Sequence, residues 1–174
     1  MPATDPAVPR GSEHGPGSPR RIVLAAGLIA ASLDIAFAIG FWALRDVPAQ
    51  RILQSVASGV LGADAYAGGA ASAALGLVLH IAIAVMMAMV YDMASLRLRI
   101  LVRRPVLFGA MYGVLLFGAM NWLVVPLSAA AMAPPSGLWL WCGLAAHIVL
   151  VGIPCALGAR LADAARRRRG PDLR

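Results

Sequence analysis

Four polar side chains lie inside long apolar runs of this 174-residue chain: Asp34, His80, Asn121 and His147. Ionisable groups inside membrane-spanning segments are rare, and they usually face the interior of the helix bundle, so they are candidates for a functional site. A carboxylate and two imidazoles can pass a proton or an ion. They can also hydrogen-bond to one another and hold the helices together.

The depth and the helical face of these four residues predict a buried polar cluster. At 1.5 Å per residue from the outer ends of the runs, they lie at depths of roughly 9–15 Å, within one layer near the midplane. The three ionisable residues share their helical faces with small residues, which line helix contacts in membranes, among them Gly27, Gly76 and Gly143. Asn121 lies about 80° from Gly113, next to the Gly109-x-x-x-Gly113 packing face.

Two imidazoles at one depth on different helices also suit a cofactor. His80 and His147 could be the axial ligands of haem b, with Gly76 and Gly143 leaving room for the porphyrin. A non-haem metal site is a further alternative, but two His and one Asp of unknown geometry do not specify a metal, and no metal is assigned. The sequence has no nucleophile elbow, no His-Glu-x-x-His motif and no phosphate loop, so an enzyme is the less favoured class.

The elements that must position these residues are four apolar runs, at 22–44, 71–93, 105–127 and 137–161. Each exceeds the ~20 residues that a helix needs to cross a hydrocarbon core of ~30 Å. The runs do not alternate with a period of two, which favours helices over strands. Hydrophobic residues make up 60% of the chain and charged residues 13%. The sequence therefore predicts an all-α, integral membrane four-helix bundle over residues 21–162.

The distribution of arginine predicts the orientation. All fifteen cationic residues are Arg, and they cluster before the first run, between the second and third, and after the fourth. The other two connections are neutral or balanced, so both termini are expected in the cytoplasm of a bacterium, with the bundle in the inner membrane. The four Trp lie near the predicted outer boundary: Trp42, Trp122, Trp139 and Trp141. Nucleic acid is not an expected partner, because the Arg residues form no basic face interleaved with aromatic residues.

A short amphipathic helix is predicted at 49–61, between the first and second spans. Its apolar face carries Ile52, Leu53, Val56, Ala57 and Val60, and its polar face carries Arg51, Gln54, Ser55 and Ser58. We expect it to lie on the outer membrane surface or against the bundle. The alternative is that it is the docking surface for a partner protein.

The two ends of the chain are predicted to lie outside the bundle. Residues 1–20 are rich in Pro, Gly and Ser, which is typical of a disordered tail, and residues 163–174 form a basic cytoplasmic tail. Cys142 and Cys155 would be about 20 Å apart on one helix, too far to form a disulfide. We interpret them as small apolar residues of a packed helix.

Several short motifs are distributed along the chain in a fixed order. They are R-I-L-Q-S-V-A-S-G-V-L-G from Arg51, A-L-G-L-x-L-H ending at His80, M-N-W-L-V-V-P-L-S-A at 120–129, and H-x-x-x-V-G-I-P at 147–154. Together they resemble a family of small bacterial four-helix inner-membrane proteins of unassigned activity, and more distantly the YagU-type family. The resemblance covers residues 22–160. It implies a four-helix membrane protein and supplies no catalytic residues.

The sequence thus favours a membrane component whose polar cluster is structural or a proton or ion relay. One alternative is a haem b electron carrier with His80 and His147 as ligands. Another is an assembly protein that acts through the amphipathic helix. The expected surroundings are the lipid bilayer, and both a homo-oligomer and a membrane-protein partner are compatible with the small-residue faces.

Overall fold

The structure is a computed structural model, and it describes residues 18–130 and 133–169. Within these ranges the apolar runs are helical. The helices are α1 Pro19–Ala43, α2 Ala49–Leu61, α3 Gly69–Arg97, α4 Ile100–Arg103, α5 Pro105–Leu127 and α6 Gly137–Arg169. No strand occurs in the described ranges. Helices α1, α3, α5 and α6 are long and apolar enough to cross a membrane. The predicted all-α four-helix membrane fold is confirmed.

Only parts of the two predicted tails lie within the described residues. Residues 1–17 and 170–174 lie outside the described residues. At the C-terminal side, α6 continues to Arg169, past the predicted end of the span at 161. Its last turns are held by ion pairs, including one between Asp163 and Arg167 four residues apart on the same helix.

Small residues set how closely the spanning helices approach. A Cβ atom on Gly113 of α5 would lie 2.5 Å from the carbonyl oxygen of His147 in α6, and a Cβ on Gly109 would lie 2.9 Å from that of Gly152. Gly152 in turn meets the backbone of Gly109 and Gly113. Helices α5 and α6 are therefore in backbone-to-backbone contact, the type of packing that small residues permit in membranes.

Two spanning helices contain a π-helical segment that ends two residues before a proline. Met120–Val124 of α5 precedes Pro126, and His147–Gly152 of α6 precedes Pro154. Proline lacks a backbone N–H, and its ring crowds the carbonyl four residues earlier. A wider turn accommodates both effects, and α6 continues through Pro154 to Arg169, whereas α5 ends at Leu127, one residue after Pro126.

Helix α2 packs against the N-terminal half of α3 and does not present its whole polar face to solvent. Gln54 and Ser58 belong to that polar face, and they are only 3% and 1% exposed. Gln54 donates to the carbonyl of Gly69 at 3.1 Å and to the Ser72 hydroxyl at 3.3 Å. The apolar Val60 is instead 63% exposed. Polar and small residues thus form the α2–α3 contact, and the helix lies against the bundle.

We predict that Gly113→Ala lowers the thermal unfolding midpoint of the detergent-solubilised protein, because the new methyl group would overlap the α6 backbone and cost about 1–3 kcal/mol. The matched control is Gly118→Ala on the same helix, since a Cβ there meets no atom within 4 Å. The control should be neutral or slightly stabilising, because alanine favours helix over glycine. Equal midpoints for the two variants would contradict the backbone contact.

Candidate functional site

One carboxylate and two imidazoles meet in the interior of the bundle. Asp34 projects from α1, His80 from α3 and His147 from α6. The Nε2 atom of His80 lies 4.0 Å from Oδ2 of Asp34, and the Nδ1 atom of His147 lies 3.8 Å from Oδ1. The three side chains are only 15–20% exposed. Each carboxylate oxygen thus faces a different histidine.

Small residues on the same helices bring these side chains together. Ala30 and Ala31, one turn before Asp34, are 0% and 1% exposed. A Cβ on Gly27, two turns before Asp34, would lie 2.7 Å from the backbone of Val85 on α3. On α6, the backbone of His147 is pressed against α5. The site is therefore placed by close helix packing on both sides of the carboxylate.

Hydrogen bonds to backbone carbonyls fix the tautomer of each neutral histidine. Nε2 of His80 lies 3.0 Å from the carbonyl oxygen of Ala31, and Nδ1 of His147 lies 3.1 Å from that of Gly143. A carbonyl oxygen only accepts, so these nitrogens donate and carry the protons. The other nitrogen of each ring, Nδ1 of His80 and Nε2 of His147, is left with a lone pair that can accept a proton.

A small cavity of about 60 Å³ opens beside the three side chains. Its remaining walls are apolar or small: Ile83, Ala84, Met87, Met120 and Val151. A water molecule needs roughly 10–15 Å³ of such space and two or more polar partners, so the cavity is large enough for water. The carboxylate–imidazole gaps of 3.8 and 4.0 Å are too long for direct hydrogen bonds and suit a bridging water.

The structure does not bring Asn121 into this group. Its amide donates to the carbonyl of Phe117 at 2.8 Å, one turn back on α5. Its side chain lines a larger cleft of about 610 Å³ that also contains Trp42 and Trp139. The preceding residue, Met120, lines the small cavity instead. These two consecutive residues of α5 thus line two different spaces.

The residues present do not fit haem b, the cofactor for which His80 and His147 are the alternative axial ligands. Sites for cofactor-sized molecules have about 300–1,000 Å³, whereas the cavity between His80 and His147 has about 60 Å³. In addition, Nε2 of His80 donates to Ala31 and so cannot offer a lone pair to iron in this arrangement. Within residues 18–130 and 133–169, no group of three or more His, Cys, Asp or Glu has the geometry to hold a metal ion.

A second polar cluster, which sequence analysis missed, lies at the Arg-rich end of the bundle, where α3 and α6 end. Asp92 and Asp163 are only 8% and 9% exposed. Asp92 accepts two hydrogen bonds from the guanidinium of Arg166. Asp163 accepts from Arg99 at 3.0 Å and from Arg167 at 3.0 Å. The Arg166–Asp92 and Arg99–Asp163 pairs are bidentate, and they join α3 and the segment after it to α6.

The sequence did contain a signal for this second cluster. Asp163 precedes Arg167 by four residues, the spacing of an ion pair on one helical face. Asp92 lies at the end of the apolar run 71–93, where an unpaired carboxylate would be costly. Both carboxylates lie close in sequence to several Arg residues, so the net charge of each segment is positive.

Comparisons with known proteins add no relative to this description. No family model matches the chain, and no curated protein and no solved structure matches it. Its function therefore has to be inferred from the side chains themselves.

We predict that Asp92→Asn lowers the unfolding midpoint, because Arg166 loses its bidentate carboxylate partner, a change that costs about 2 kcal/mol. The exposed carboxylate of Asp64 provides the control, since Asp64→Asn breaks no ion pair in the described residues. Circular dichroism melts in detergent measure both variants. A midpoint for Asp92→Asn equal to that for Asp64→Asn would show that the pair does not stabilise the bundle.

Proposed function

We propose that this protein is a membrane component in which Asp34, His80 and His147 take up and pass on protons. The observation that carries the proposal is a single carboxylate within 4.0 Å of an imidazole nitrogen of each of two histidines. Carboxylate and imidazole side chains are the groups of proton relays in membrane proteins. The adjacent cavity supplies space for the water that such a transfer needs.

The hydrogen bonds of the histidines favour a relay over a purely structural cluster. His147 bonds to Gly143 of its own helix, so that bond does not tie two helices together. The distances from Asp34 to both rings exceed those of direct hydrogen bonds. A structural role is the second candidate, and the bond from His80 to Ala31 favours it because it does connect α3 to α1.

Exposed apolar side chains support the membrane setting. Leu28, Val78 and Leu115 project from three different spanning helices with 48%, 62% and 64% of their surface exposed. Such surfaces are compatible with lipid contact. We propose the bacterial inner membrane, with both termini in the cytoplasm, because the Arg clusters follow the positive-inside pattern. A homo-oligomer or a membrane-protein partner, and kinship with the small four-helix inner-membrane family, belong to the same proposal.

Proton flux into liposomes containing the purified full-length protein tests the relay. With a potassium diffusion potential and a pH-sensitive dye inside, the wild-type protein should carry protons faster than empty liposomes. Asp34→Asn should reduce the flux about tenfold or more, because the amide cannot take up a proton. His80→Gln and His147→Asn should do the same, since each keeps an N–H near the original donor position but has no nitrogen that can accept a proton.

The matched control is Asp64→Asn, which removes an exposed carboxylate outside the cluster and should leave the flux unchanged. Wild-type flux no greater than that of empty liposomes would overturn the relay. So would a full wild-type flux in all three cluster variants. In that second case, a lowered unfolding midpoint for Asp34→Asn would assign the cluster to structure.

A further inference from the structure

The cleft of about 610 Å³ lies at the Trp-rich end of the bundle, the end at which Trp42 and Trp139 are found. Its walls come from α1, α2, α5 and α6, and from the connections that precede α2, α3 and α6. The volume is within the range of about 300–1,000 Å³ that is typical of sites for small molecules. The cleft is separate from the cavity beside Asp34 and shares no lining residue with it.

One cationic side chain lines the described part of this cleft. Among the described residues that line it, Arg51 alone carries a charge. Its guanidinium lies over the ring of Tyr66, 4.0 Å from the centroid. No hydrogen bond or ion pair engages this guanidinium within the described residues, so its N–H donors remain available. Stacking holds the planar fork in one orientation, which favours bidentate binding of a phosphate or carboxylate.

The rest of the lining is largely apolar and aromatic. The rings of Trp42 and Trp139 lie 5.4 Å apart and form part of a cluster with Phe41. Pro134 and Pro135 line the cleft from the connection before α6, and polar groups come from Ser55, Asn121 and Ser136. Apolar walls with a few polar groups and one oriented cation match a molecule that has an anionic head and an apolar chain.

We propose that this cleft binds the phosphate head of an amphiphile, with the phosphate on Arg51 and the start of the apolar chain against Trp42 and Trp139. A membrane phospholipid and a free phosphate ester would present the same chemistry. The site does not depend on the proton relay.

Dodecyl phosphate is the probe for this site. Full-length protein in uncharged maltoside micelles should show a saturable change in tryptophan fluorescence on titration with dodecyl phosphate, since two of its four Trp line the cleft. Arg51→Gln should weaken the apparent Kd about tenfold or more, because a charge-assisted bidentate contact is lost. Arg103→Gln, an exposed arginine outside the cleft, should bind as the wild type does and so controls for micelle charge.

Dodecylphosphocholine has the same chain but a zwitterionic head, and it should bind the wild-type protein much more weakly. Inorganic phosphate distinguishes the two sources: the same fluorescence change with phosphate alone assigns the site to a free phosphate compound, whereas a need for the chain assigns it to lipid. Equal binding of the two dodecyl amphiphiles, or of dodecyl phosphate to wild type and Arg51→Gln, would overturn the proposal. The comparison of head groups needs no variant and stands even if Arg51→Gln fails to fold.

Discussion

The close approach of helix backbones at glycine is the constraint on which the bundle depends. Between spanning helices in lipid, association relies on van der Waals contact and hydrogen bonding, since lipid is as apolar as the side chains. Gly113 lets α5 lie directly on the backbone of His147, and Gly76 lets α3 lie on the backbone of α2. The positions of Asp34, His80 and His147 depend on contacts of the same kind. Gly27 of α1 lies against the backbone of Val85 on α3, and Gly158 of α6 lies against Ala26 of α1.

Composition and run length were sufficient to predict the fold class, because a span needs about 20 apolar residues and little else. The interior position of His80 could also be predicted, because its helical face carries small residues such as Gly76, and small residues line helix contacts in membranes. The proximity of Asp34, His80 and His147 depends on how three helices cross, which depth and face alone do not determine. Asn121 shows the difference: its estimated depth is similar, but its side chain lines the other cleft.

The direction of a side chain calculated for a regular α-helix is also wrong where the number of residues per turn changes. A face calculated at 100° per residue assumes a regular α-helix. The π-helical segments Met120–Val124 and His147–Gly152 contain Asn121 and His147, so faces extrapolated through them are displaced. Helix α2 illustrates another limit, because a polar side chain is not necessarily an exposed one. In membrane proteins Ser and Gln also form helix contacts, as Gln54 and Ser58 do here.

The contact at Gly76 has a mechanical consequence. Helix α2 supplies Arg51 and Ser55 to the cleft, and it rests on α3 one turn before His80. Because a Cβ at Gly76 would already overlap the backbone of Leu53, α2 has no room to move closer to α3 at this point. The wall of the cleft that α2 forms is therefore backed by the same helix that carries His80.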